Sequence, residues 1–283
     1  MPSRTAPTAR QRRIGCELRK LRERIGMTPM QAAEELGTNR AGISNMETGR
    51  FGVSAERVRT LARIYSCPDA AYVDALAAMA EERVRGWWEH YRDKLPATAL
   101  DLAELEHFAR AMRTIQIMHV PGLLQTEEYA RAVLAIDVPE PNPVELRRKI
   151  SFRMRRRDVL DRDDPPQCTF LVHESAFRLE TGGPKVARRQ LDHLLEASER
   201  PNVTLRAIPF SAGVLPNTGL STVYAYAAVP QLDTVHLEVR HGHALLDAET
   251  HLQNYRATMS RVENISLTPE ETRELIADIA RFM

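Results

Sequence analysis

Met27-Thr-Pro-Met-Gln-Ala-Ala-Glu-Glu-Leu-Gly-Thr-Asn-Arg-Ala-Gly-Ile-Ser-Asn-Met-Glu-Thr-Gly-Arg50 is the stretch on which the reading turns. Thr28 is a good N-cap and Pro29 suits a first helical position, so a short helix is predicted from Pro29 to Leu36. Gly37 tolerates the positive φ that a corner demands, and Thr38 or Asn39 caps a second helix that Gly49 stops. Ala33 is small where two steeply crossed helices approach, while Ile43 and Met46 give the second helix an inner face.

Working outward, residues 10–25 place Ile14, Leu18, Leu21 and Ile25 at helical spacing, with Arg12, Arg13, Arg19, Lys20, Arg22 and Arg24 on the remaining surface. This predicts an amphipathic helix with a cationic exterior, closed by Gly26. Downstream, Ser54 caps a helix whose inner stripe is Val58, Leu61, Ala62 and Tyr65. Residues 1–65 hold 13 Lys/Arg against 6 Asp/Glu, a surplus of seven, whereas the whole chain carries +1, which leaves −6 for the rest. A basic head on an acidic body points to a polyanionic partner for the head.

Residues 10–66 resemble the helix-turn-helix of the XRE (phage-repressor-like) family of DNA-binding regulators. The resemblance implies a lambda-repressor-like all-α fold, with the second helix of the pair in the major groove of double-stranded DNA. Carried over by position, Arg40, Ala41, Ser44 and Asn45 would face bases, with Thr28 and Asn39 at the helix starts and Arg50 against the backbone. The chemistry suits those roles. Arg40 can donate twice to guanine, Asn45 can pair with adenine and Ala41 can meet a thymine methyl. Pro29 replaces the glutamine frequent in the family at that helix start, which removes a side-chain phosphate contact but leaves backbone amides for one. The arm before residue 10 is expected to be disordered or to track phosphate.

Cys67-Pro68-Asp69 marks a boundary, and one connecting helix is expected across 67–95, through Leu76, Met79 and Val84 towards Trp87, Trp88 and Tyr91. Adjacent helical positions point about 100° apart, so Trp87 and Trp88 together need two apolar surfaces, such as the C-terminal domain and a second subunit. Residues 96–283 mix elements. Helices are predicted at Leu100–Met112, from Thr126 through Val133, from Asn142 to about Leu160, at Pro184–Glu199, and at 249–263 and 268–282. Strands are predicted at Thr114–Met118, Cys168–His173, Val203–Ile208, Leu220–Ala228, Thr234–Arg240 and His243–Leu246. Together they predict an α+β domain with a mixed or antiparallel sheet behind the all-α head.

Trp87-Trp88 with Tyr91, Pro121-Gly-Leu-Leu-Gln-Thr126, Arg153 to Arg157, Glu174, Gly182-Gly183-Pro184, Pro201-Asn202-Val203-Thr204, Pro209-Phe-Ser-Ala-Gly213 and Glu238 are similar to a domain of unknown function. That domain follows an XRE-type motif in many actinobacterial regulators. The resemblance implies a WhiJ-like transcriptional regulator, often encoded beside a small partner protein, with no established ligand or reaction.

Other constellations were weighed for chemistry. His241 and His243 alternate onto one face of an extended chain, and His236 or His251 would add a third nitrogen for a metal-dependent enzyme. Solvated imidazoles at a hairpin end are the plainer reading, because no H-E-x-x-H spacing accompanies them. Arg147, Arg148, Lys149, Arg153, Arg155, Arg156 and Arg157 put seven cations in eleven positions. Their expected partners are Asp161, Asp163, Asp164 and other acids of the body, or else DNA or an acidic protein. Glu174 and Glu238 could pair with those arginines. Pro121 to Thr126, Gln125 included, reads as a buried loop or as the wall of a ligand or partner groove.

With 283 residues, 43% apolar and 27% charged, the chain fits two ordinary globular domains. No apolar run approaches the roughly 20 residues that span a bilayer. The opening to Arg13 is basic and polar, and Cys16, Cys67 and Cys168 are odd in number without a C-x-x-C pair. A soluble cytoplasmic protein, without membrane partner, is therefore expected. G-x-S-x-G, Walker and G-x-G-x-x-G patterns are absent from the sequence, so neither a cofactor nor a catalytic site is expected. The resulting expectation is a sequence-specific DNA-binding regulator, acting as a homodimer because one recognition helix covers a half-site, whose body senses a ligand or partner. A protein-sequestration module with secondary DNA binding stands as the other class.

Overall fold

Helix starts follow the capping residues almost one for one. A computed structural model describes residues 7–82, 86–216, 219–239 and 242–283. These fall into two units: one holds the described chain up to Arg92 with Ala99–Leu105 and Ala228–Leu232, and the other holds Asp93–Thr98, Glu106–Ala227 and Asp233–Met283.

The first unit contains α1 (Ala9–Arg24), α2 (Pro29–Leu36), α3 (Arg40–Glu47), α4 (Ala55–Ile64) and α5 (Ala70–Glu81), capped by Thr8, Thr28, Asn39, Ser54 and Asp69. Each cap side chain accepts a backbone N–H that the first helical turn leaves unpaired. Ile14, Leu18, Leu21, Ala33, Ile43, Met46, Val58, Leu61 and Tyr65 form the buried centre. Ile25 does not join them: α1 ends at Arg24, Gly26 turns the chain at φ +67°, and Ile25 is left 42% exposed.

The single connecting helix expected over 67–95 is replaced by two elements. Helix α5 stops at Glu81, and Trp87–Tyr91 form a separate 3₁₀ turn after an extended Gly86. The cause is packing: the buried Trp88 ring lies so close over Gly86 that a Cβ there would meet it at 2.2 Å. Trp87 is half-buried and meets both Trp88 and Tyr91 edge-on at 6.0 Å.

Helix α6 (Ala97–Phe108) contributes Ala99–Leu105 to the first unit, and the rest of the second unit follows it. In order come β1 (Ala111–Gln116), α7 (Glu127–Ala135), α8 (Pro143–Arg156), β2 (Gln167–His173), α9 (Glu174–Arg178), α10 (Pro184–Ala197) and β3 (Val203–Ile208). Then follow β4 (Thr222–Tyr226), β5 (Thr234–Val239), β6 (Gly242–Leu246), α11 (Glu249–Asn264) and α12 (Pro269–Arg281). The sheet is mixed, in the order β3-β2-β1-β4-β5-β6. Strands β1, β2 and β3 are parallel because helices return the chain between them, whereas β4 pairs antiparallel with the other edge of β1, and β5 and β6 follow it as antiparallel neighbours across short connections. Ile115, Leu171, Val235 and Leu237 bury one face under Leu252, Met259 and Val262 of α11. Strand β1 starts and ends earlier than Thr114–Met118, since α6 gives out at Phe108. The predicted strand ending at Arg240 runs into residues 240–241, which lie outside the described residues.

Candidate nucleic-acid interface

The corner is built from backbone hydrogen bonds. Gly37 adopts φ +66°, its N–H donates to Glu34 O at 3.1 Å, and Thr38 N–H donates to Ala33 O at 2.9 Å. Thr28 and Gln31 form a capping box at the start of α2, in which the Gln31 side-chain oxygen accepts from Thr28 N–H and the Gln31 backbone N–H donates to the Thr28 hydroxyl. Asn39 caps α3, accepting from Gly42 N–H at 2.7 Å. That bond fixes the first turn, the part carrying Arg40 and Ala41.

Ile43 and Met46 face inward, which leaves Arg40, Ala41 and Ser44 exposed and Asn45 half-buried. Two glycines let α1 lie almost on the end of α3. A Cβ at Gly15 would stand 2.5 Å from the carbonyl oxygens of Met46 and Glu47, and one at Gly49 would stand 2.8 Å from the backbone of Gln11 and Arg12. After Gly49, at φ +71°, the chain presents Arg50, and Phe51 N–H returns to Asn45 O at 3.1 Å. Arg40 and Arg50 are exposed and form no ion pair among the described residues. Two unspent guanidiniums therefore flank an outward helix face, an arrangement that matches phosphate and base-edge acceptors.

The cationic exterior expected of α1 is only partly realised. Arg13 and Arg22 are buried, the first ion-paired with Glu17 at 2.9 Å and the second with Glu47 at 2.5 Å. Arg12 pairs with Asp101 of α6 at 2.8 Å, and Asp101 also accepts Ala9 N–H. Burial forces the charges of Arg13 and Arg22 to find carboxylates, so these two contribute architecture in place of surface potential, whereas Arg12 stays exposed. Tyr72 donates to Glu17 at 2.6 Å; burial, then the Glu17 charge, raises its phenol far above the usual range.

In the second unit the remaining candidates separate. Gln125 is buried, donating to Val120 O and accepting from Arg153 Nη1, both at 2.8 Å. Burial, then the neighbouring Arg156, pushes Arg153 down to about 10. Glu174 pairs with Arg178 and accepts Phe210 N–H at 2.9 Å, so its arginine comes from α9 and not from the basic helix. Glu238 lies within electrostatic range of Arg153 and Arg156 without a direct ion pair among the described residues. Arg156 pairs with Glu106 at 2.5 Å, Lys149 with Asp137, Arg155 with Asp158, and Arg157 contacts His193 at 3.1 Å. Asp161 is taken by Arg200. The basic run is thus met partly by acids, near (Asp158) and distant (Glu106, Asp137), and partly by neutral acceptors such as Gln125, because α8 turns its cations around the helix and each meets what its own side faces.

His236 is buried, and its ring packs edge-on against His243 at 5.2 Å. His241 lies outside the described residues, and His251 is exposed on α11. Among the described residues, no three His, Cys, Asp or Glu side chains are grouped to hold a metal ion. No described helix is long and apolar enough to cross a membrane.

The site depends on residues that the sequence reading passed over: Gly15, Glu47 and Asp101. Gly15 within an otherwise regular helical pattern was the one available signal, since glycine there costs about 1 kcal/mol relative to alanine unless packing requires it.

A family model described as a helix-turn-helix domain matches residues 13–76, and one described as a domain of unknown function, DUF5753, matches residues 99–278. No curated protein and no solved structure matches the chain.

Proposed function

The chain belongs to the DUF5753 family and joins that domain to an N-terminal helix-turn-helix, and from this premise we propose that it is a sequence-specific DNA-binding transcriptional regulator. The observation that carries the reading is the outward face of α3: Arg40, Ala41 and Ser44 stand exposed on a helix whose start, corner and underside are each held by the protein. Such a helix has lost its conformational freedom before it meets a ligand, which lowers the entropy cost of docking in a major groove. The finer likeness, to XRE-type and WhiJ-like regulators, belongs to the same proposal. So do action as a cytoplasmic homodimer, sensing by the C-terminal domain of a ligand or a small partner protein, and a regulatory in place of an enzymatic role.

The test is selection of bound sequences from randomised duplexes with the full chain, followed by anisotropy titration of the winning duplex. A reproducible motif, bound at least about 10³-fold more tightly than random duplex, is the expected result for a specific regulator. Enrichment of no motif overturns the proposal.

A further inference from the structure

Family and structural boundaries disagree at one helix. Ala99–Leu105 of α6 fall inside the stretch matched as DUF5753, yet they belong to the first unit, together with the helix-turn-helix. The four backbone N–H groups that open α1 show what α6 does there. Thr8 N–H donates to the Gln11 side-chain oxygen at 3.0 Å and Gln11 N–H to the Thr8 hydroxyl at 3.2 Å, so the capping box of the helix answers two of them. The other two go to α6: Ala9 N–H donates to Asp101 Oδ1 at 3.1 Å and Arg10 N–H to Glu104 Oε2 at 3.4 Å. Asp101 is buried, and its second oxygen accepts from Arg12 Nη2 at 2.8 Å. One carboxylate therefore holds the first turn of α1 by backbone and side chain at once, at the helix end where peptide dipoles favour negative charge. Glu104 also faces the Arg10 charge, but its hydrogen bond is the longer, which makes Asp101 the principal anchor.

That turn is the surface on which the loop after α3 is seated. A Cβ at Gly49 would stand 2.8 Å from Arg12 N and from Gln11 C and O, so the Gln11–Arg12 peptide and Gly49 pack backbone to backbone. Gly49, at φ +71°, leads straight into the exposed Arg50. The contacts thus run from Asp101 to the Ala9–Arg12 turn, from that turn to Gly49, and by one peptide bond to Arg50.

We propose that Asp101 is a positioning residue for DNA binding: a buried carboxylate of the DUF5753 region that fixes the seat of Arg50. The role rests on the DNA-binding reading above and names the bond by which that region bears on the helix-turn-helix.

The full chain carrying Asp101→Ala is compared with the unaltered protein at a temperature where far-UV circular dichroism shows both folded. Its log–log salt slope on the selected duplex should be smaller by about 0.9, the value for one phosphate contact. Arg50→Ala added to it should lower the slope no further, since both changes remove the same contact. A smaller folded fraction alone would weaken binding equally at every salt, leaving the slope and the effect of Arg50→Ala intact. An unchanged slope, additive effects of the two changes, or a steeper slope from a released Arg12 taking a phosphate each overturns the role. Asp101→Asn keeps an oxygen for Ala9 N–H but no charge for Arg12, and should show the same changes at smaller amplitude; it carries the test if the alanine variant does not fold.

Amide hydrogen exchange followed by NMR gives a readout without DNA. Gly49 N–H and Phe51 N–H, bonded to Met46 O and Asn45 O, should exchange at least about threefold faster in the variant, as a loosened seat opens more often. Unchanged exchange at both overturns the seat. Absence of duplex binding by the unaltered protein overturns the regulator reading, while the exchange comparison still decides whether Asp101 seats the loop.

Discussion

Arg22 of α1 and Glu47 of α3 meet at two points, Nε to Oε1 at 2.5 Å and Nη2 to Oε2 at 3.0 Å, with their side chains 7% and 9% exposed. The hydrogen bond to Glu47 is the main reason the Arg22 guanidinium holds its proton more tightly than usual. Arg22 Nη1 also donates to Met27 O at 2.6 Å, so one side chain ties α1, the entry to α2 and the end of α3. Glu47→Ala leaves a buried guanidinium with Met27 O and the half-exposed Glu23, 3.6 Å away, as its remaining partners and should cost about 3 kcal/mol in chemical denaturation, whereas joint replacement by Arg22→Met and Glu47→Leu should cost much less. A loss below about 1 kcal/mol for the single change would show that the pair does not fasten the two helices.

Gly15 sets how closely those helices lie. Its absent Cβ leaves room for two carbonyl oxygens of α3 that would otherwise stand at 2.5 Å, and backbone cannot rotate aside as a side chain can. Gly15→Ala should therefore destabilise by about 1–3 kcal/mol despite the better helix propensity of alanine. Gly52→Ala, in open space at ordinary φ, is the comparison and should be near neutral. Equal denaturation midpoints for the two variants would contradict the close approach.

These two cases also show which parts of the molecule could be read in advance. Thr28, Gly37, Asn39 and Ser54 act through bonds to residues three or four positions away, so their roles are visible locally, and the helices they start or end appear where expected. Strands β2 and β3 are rich in β-branched and apolar residues, β3 in alternation with Thr204 and Arg206, and were equally plain, but the order β3-β2-β1-β4-β5-β6 depends on how helices return the chain, which residue pattern does not encode. Arg13 and Arg22 were misplaced on the surface because amphipathic spacing assigns charge to water. Their partners lie elsewhere: Glu17 is four residues from Arg13, but Glu47 is 25 from Arg22.

Arg40 and Arg50 should fail differently. Arg40 stands in the first exposed turn of α3, and Arg40→Ala should weaken binding to the selected duplex by about 1–3 kcal/mol while relaxing preference at one base pair. Arg50 follows the helix, after Gly49, and Arg50→Ala should weaken all duplexes alike and reduce the log–log salt slope by about 0.9, the value for one lost phosphate contact. Anisotropy titrations on selected and scrambled duplexes over a range of salt separate the two. A uniform loss for Arg40→Ala, or a sequence-dependent loss for Arg50→Ala, would exchange their roles.

His236 supplies a pH dependence with a definite sign. Burial, then the charges of His243 and Arg156, holds its imidazole down to about 3, well below the ordinary 6.5. It stands on the opposite face of β5 from Val235 and Leu237, edge-on to His243 across the β5–β6 pair. Between pH 6.5 and 3 the unfolded chain takes up a proton at this position that the native protein refuses, so ν for the unfolded state exceeds that for the native state and stability rises with pH. Over that window His236 should remove about 1.4 kcal/mol of stability for each unit the pH falls, and nothing further above 7. His236→Gln cannot protonate, so the difference between its stability and that of the unaltered protein should move steadily in the variant's favour from pH 7 to pH 4.5, measured by urea denaturation in constant ionic strength. Parallel stability curves over that range would mean that His236 titrates freely in the native protein and that the sheet face it occupies is open to water.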